Sequence, residues 1–155
     1  MSITTVAPVF DSSLFIPELR TRRKESVLNE LVQRARLAGA VRDADSLLEL
    51  LMLRERLGST ALGKGVAVPN ARSLAVVEPR LLVARSRRGL EWDAPDGLPV
   101  SLVLLTLSPS ELSDEAHHGF VARAVGLSRL QRNRQRLLEA ESVDAVATLV
   151  REVAP

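Results

Sequence analysis

The chain has 155 residues, 46% hydrophobic and 26% charged, which suits one soluble globular domain, and it has no cysteine to make a disulfide, a thiolate nucleophile or a zinc–sulfur site. The pI is near 9.9, but the formal net charge is only +2, because 19 of the 21 basic residues are arginine. With 3% aromatics and no block of five like charges, nucleic acid is set aside as a partner, and no apolar run approaches the ~20 residues of a membrane span.

Residues 1–12 read as a loose N-terminal arm without the basic start and apolar run of a secretion signal, so a cytoplasmic location is expected. Leu14–Pro17 suits a short edge strand ended by proline. Thr21 is positioned to cap a helix with Leu28, Leu31, Val32 and Ala35 on one face, and Gly39 to stop it. Asp43 opens a second helix, whose run SLLELLMLRERL is apolar on most sides and is expected to be deeply packed until Gly58 ends it. The periodicity then changes. Val66–Val68 and Leu81–Val83 read as strands, Pro95-Asp96-Gly97 as a turn, and Val100–Leu107 as a central strand covered on both faces. Two closing helices follow, one from Ser113 or Asp114 through Leu127, the other capped by Ser142 with Val146, Leu149, Val150 and Val153 on one face. The fold class is therefore α/β: one layered domain over 13–155, a mixed sheet covered by helices on both faces.

Residues 58–65, GSTALGKG, nearly match a P-loop. Gly65 stands where a hydroxyl would hold magnesium, and the segment follows a helix and enters a strand, the reverse of P-loop context. Nucleotide hydrolysis is not supported.

The same segment fits another pattern. Arg54-Glu55-Arg56-Leu57-Gly58-Ser59-Thr60, then Gly63, Gly65 and Val66-Ala67-Val68-Pro69, resembles the enzyme IIA domains of the bacterial phosphotransferase system, fructose/mannitol class, which includes nitrogen-regulatory members. The resemblance continues through Gly89–Val100 and into the helix holding His117, covering about residue 13 to the end. That family follows its I-A-[IV]-P motif with the histidine that accepts phosphate. Here the position is Asn70. A phosphohistidine relay needs a ring nitrogen with a free lone pair, whereas the asparagine amide nitrogen delocalises its lone pair into the carbonyl.

The resemblance implies a pocket of Arg54, Ser59, Thr60, Asn70 and His117. Arg54 is either the arginine that steadies a phosphoryl group or a cation at a helix C-terminus. Ser59 and Thr60 either offer hydroxyls to an anion or only fix the turn. His117 matches the family's second histidine, with His118 as the alternative across a one-residue difference in register. Lys64 and Arg72 read as solvated. No catalytic residue is intact, and no metal or cofactor is implied. The expected function is a regulator that acts by protein–protein contact on a transporter, kinase or other regulated protein. Docking of the histidine carrier protein and a phosphate or sulfate in the pocket remain open. The alternatives are an active phosphotransferase using His117 or His118, and a binding module for small anions or sugar phosphates.

Overall fold

The computed structural model describes residues 9–153. Its scaffold is an antiparallel pair, β5 (Arg80–Leu90) and β6 (Val100–Pro109), in a six-stranded mixed sheet. The sheet order is β1 (Phe15–Ile16), β5, β6, β3 (Val66–Ala67) and β2 (Ala61–Gly63), while β4 (Asn70–Ser73) also pairs with β6. Strand β6 is central, and Leu102, Val103, Leu104, Leu105 and Leu107 are all buried. An unbroken apolar run is what a strand covered on both faces requires.

Strands β3 and β4 run parallel to the same edge of β6, with Val66 opposite Leu102 and Asn70 opposite Thr106. Proline has no N–H to continue the ladder, yet the Pro69 carbonyl still accepts from the Thr106 N–H at 3.1 Å. The strand thus restarts at Asn70 immediately after its proline. The near-P-loop segment forms the β2–β3 hairpin, whose turn places Lys64 at φ 58° and Gly65 at φ 81°. Asp96 clasps that turn by accepting from the Lys64 N–H at 2.7 Å.

Helices α1 (Lys24–Leu37) and α2 (Ala44–Leu57) pack on each other and reach β5 and β4 respectively. Helix α1 ends in a Schellman arrangement: Gly39 has φ 80°, its N–H meets the Arg36 carbonyl, and the Ala40 N–H meets that of Ala35. Asp43 caps α2 by accepting from the Ser46 N–H. Helix α3 (Asp114–Arg129) packs on β6 and on α4 (Gln131–Glu139) and α5 (Val143–Val153).

Several expectations are corrected. Of the proposed arm, residues 1–8 lie outside the described residues. Phe10, however, is in the core, and the Val9 carbonyl accepts from Leu81. Thr21 caps nothing: its hydroxyl and the Arg20 N–H both donate to Glu30, and α1 begins at Lys24 without a side-chain cap. Helix α2 is not deeply packed. Only Leu47, Leu51 and Glu55 are buried, while Leu50, Leu53 and Leu57 are exposed. Three helices, not two, close the chain, because α4 intervenes.

Candidate functional site

The site forms where three separate segments end beside one another. Asn70 stands at the restart of the strand after Pro69. Ser108 lies near the end of β6, two residues beyond Thr106, the register partner of Asn70. His117 is in the first turns of α3, whose N-terminus is fixed by the Ser113 hydroxyl accepting from the Ala116 N–H at 3.1 Å.

These residues form one hydrogen-bonded chain. His117 Nε2 lies 3.0 Å from Asn70 Oδ1, and His117 Nδ1 lies 2.7 Å from Ser108 Oγ. The Asn70 amide Nδ2 donates to the Val68 carbonyl at 3.4 Å, which turns Oδ1 toward the histidine. A carbonyl oxygen only accepts, so Nε2 carries the proton and Nδ1 accepts from the Ser108 hydroxyl. Burial, then the neighbouring His118 and Arg72, hold the His117 pKa below its ordinary 6.5, against an opposing pull from Asp114. The imidazole is accordingly neutral near pH 7, with both ring nitrogens occupied.

Serine, histidine and asparagine in series bring nucleophilic catalysis to mind. Ser108 is 0% exposed, however, so no substrate reaches its hydroxyl. The chain orients His117 rather than activating Ser108.

Of the five residues expected to share the pocket, the structure brings together Asn70 and His117. His118 is exposed, its ring centred 6.1 Å from that of His117. Arg54 is exposed and donates to the Gly58 carbonyl at 2.7 Å, as a cation at a helix C-terminus does. Among the described residues no hydrogen bond links it to Asn70 or His117. The hydroxyls of Ser59 and Thr60 are committed elsewhere. Ser59 donates to the Trp92 carbonyl at 2.9 Å, and Thr60 donates to Glu55 while accepting from the Trp92 indole N–H at 3.2 Å. Each hydroxyl has one proton, and neither has it free for an anion.

Two participants were not foreseen. Ser108 was legible only as a polar end to an apolar run. Arg72, read as solvated, instead fastens β4 to the α3 entrance. Its guanidinium donates to the Ser110 and Leu112 carbonyls at 3.3 and 2.8 Å and to Asp114 Oδ1 at 2.6 Å. At the end of α2, Glu55 is buried between the Lys24 ammonium, 3.1 Å away, and the Thr60 N–H and hydroxyl. Lys24 also lies over the Trp92 ring.

Residues 8–153 match the family described as phosphoenolpyruvate-dependent sugar phosphotransferase system, EIIA 2. The chain belongs to this family. Among curated EIIA relatives, the fructose-specific EIIA component of Haloferax volcanii is 32% identical over 154 residues, covering 99% of each chain. The fructose-specific EIIABC component of Bacillus subtilis is 31% identical over 134 residues, 86% of this chain but only 21% of that protein. The crystal structure of nitrogen regulatory protein IIA-Ntr from Neisseria meningitidis superposes with a TM-score of 0.79 at 27% identity, covering 92% of this chain and 96% of that one. The layered α/β fold is thus that of EIIA structures. No helix among the described residues is long and apolar enough to cross a membrane.

Proposed function

We propose that this chain is an EIIA-type regulator that accepts no phosphate at the position where its family resemblance places the acceptor, and that acts in the cytoplasm by binding another protein. The 3.0 Å hydrogen bond between Asn70 Oδ1 and His117 Nε2 carries the reading. Asn70 has no nucleophilic lone pair, and the nitrogen it faces is already protonated. The bond holds the site in one neutral, closed arrangement, akin to that of an unphosphorylated histidine pair. Two observations support contact with a protein. The likeness to a nitrogen regulatory protein offers a role outside sugar transport. Helix α2 also presents Leu50, Leu53 and Leu57, exposed and spaced i, i+3, i+7 on one face.

The test is phosphate transfer from the phosphorylated histidine carrier protein. The wild-type chain is expected to take up no acid-labile phosphate, and Asn70→His to take up some, since the new imidazole would follow Pro69 and lie beside His117. Adding Arg54→Ala to that variant should weaken labelling if the exposed Arg54 guanidinium swings from Gly58 to the phosphoryl oxygens. Robust labelling of the wild type would overturn the proposal, and the exposed ring of His118 would then be the first acceptor to examine.

A further inference from the structure

At the opposite end of β6 from Asn70, a cleft of about 560 Å³ opens where the segment after β1 passes β5. Arg85 pairs with Leu102 and Asn70 with Thr106, so the two sites are four residues apart along β6, about 13 Å, and on opposite edges of that strand. Four arginines line the cleft, Arg20, Arg85, Arg87 and Arg88, against one acid, Glu18.

Their roles differ. Arg85 is structural: it donates to the Pro17 carbonyl and to the carbonyls of Leu137, Leu138 and Ala140 at the end of α4, and it stacks on Phe15. The Arg20 and Arg87 guanidinium groups make no hydrogen bond among the described residues, and Arg88 makes one long one, to the Arg20 carbonyl at 3.4 Å. The ion pairs among the described residues are Lys24–Glu55, Arg72–Asp114, Arg80–Glu78 and Arg136–Glu152, and none includes these three. Glu18 spends both carboxylate oxygens on the Arg87 backbone N–H, at 3.3 and 3.1 Å. That contact closes the strand edge against an added peptide strand.

The backbone is shaped to aim these guanidinium groups. The β5–β6 register breaks between Arg85 and Leu90, and the alternation of the strand breaks with it, so that the consecutive Arg87 and Arg88 are both exposed. Such bulges re-aim side chains. The next residue, Gly89, has φ 83°, and a Cβ there would lie 2.8 Å from the Pro99 Cβ. Only glycine fits, and the bulge depends on it.

We propose that this cleft binds a small molecule carrying two or more adjacent phosphoryl groups. Three planar forks outside any ion pair suit several closely spaced oxyanions better than one, the volume is that of a small-molecule site, and the closed edge disfavours an extended acidic peptide. The inference is independent of the fate of Asn70.

The experiment is calorimetric titration of the full chain with tripolyphosphate, ATP and orthophosphate at fixed ionic strength, since exposed charges are screened by salt. Tripolyphosphate is expected to bind one to one and far more tightly than orthophosphate. Arg20→Gln/Arg87→Gln/Arg88→Gln should weaken it by about tenfold or more, and Arg87→Gln alone should weaken it measurably. Arg56→Gln/Arg132→Gln/Arg151→Gln, with the same change in net charge, should leave it unchanged. ATP binding as tightly as tripolyphosphate would identify the phosphate chain as the whole epitope; tighter binding would add the nucleoside. No binding of either at millimolar concentration would overturn the proposal. So would equal loss in the control variant, or tighter binding of an octaglutamate peptide than of tripolyphosphate.

Discussion

Replacing Asn70 by aspartate tests the site's electrostatics, because it puts a charge where the structure has a neutral acceptor. In the wild type, His117 is held below its ordinary pKa of 6.5 by burial and by the neighbouring His118 and Arg72. A carboxylate oxygen at the Asn70 Oδ1 position would lie 3.0 Å from Nε2. At an effective dielectric of about 20, unit charges at that distance attract by about 5 kcal/mol. Asn70 is partly exposed and Arg72 is close, so solvent and a competing cation reduce this to a rise of roughly one to three pH units. The assay is NMR titration of the imidazole C–H resonances, with His118→Gln assigning the second ring. The sign also appears in stability. In the wild type the unfolded chain binds the His117 proton more readily than the folded one, so stability falls as pH drops from 6.5 through the lower folded value. In Asn70→Asp the folded chain binds that proton more readily than the folded wild type does, so the variant loses less stability, or gains some, as pH falls through 6.5. The melting-temperature difference, variant minus wild type, should therefore become less favourable from pH 5.5 to 8. Titration of wild-type His117 at or above 6.5, or a shift under about half a unit in the variant, would refute the reasoning.

Two further outcomes follow from packing. Gly89→Ala should cost about 1–3 kcal/mol by denaturant unfolding, since its Cβ would lie 2.8 Å from the Pro99 Cβ at a backbone φ of 83°. Glu55→Gln should cost about 1–3 kcal/mol, because it strips the charged partner from the partly buried Lys24, and Lys24→Met added to it should recover part of the loss.

The central strand was legible because burial on both faces leaves one signature, an apolar run without alternation, and Val100–Leu107 has it. Helix α2 was misjudged by the same logic. Its leucines are dense enough to suggest burial all round, but composition does not say which neighbours exist to cover them, and Leu50, Leu53 and Leu57 meet none. Helix α4 escaped notice because QRNRQRLLE offers only Asn133 and Leu137 to the interior, one i, i+4 pair among strongly polar residues. Strands β2 and β4 are three and four residues long, too short for a period to register. At the site, the motifs marked Asn70 and His117, whose pairing across 47 residues depends on strand register. They left Ser59 and Thr60 open between binding an anion and fixing the turn. Hydroxyls in a glycine-bearing loop suit either role, and only the positions of Trp92 and Glu55 show where their protons go.

The choice of asparagine at position 70 is itself informative when each neighbour's need is counted. His117 is buried, so its Nε2–H requires an acceptor, while the Val68 carbonyl takes a donor. Alanine would leave the imidazole proton unpaired, at a cost of about 1–3 kcal/mol. Serine is too short to span both partners, and aspartate would add charge and lose the donor. Only a neutral side chain with a donor and an acceptor on adjacent arms meets both demands. On the other ring nitrogen, Ser108 is wholly buried and can turn to nothing else. Arg72 and the Ser113 cap then hold the α3 entrance in register, so His117 has little freedom to present a free nitrogen. A site merely drifting after the loss of an acceptor would be expected to shed such fits one by one. Here each polar atom of Asn70 and of the His117 ring is paired, which is the arrangement the proposed regulator needs.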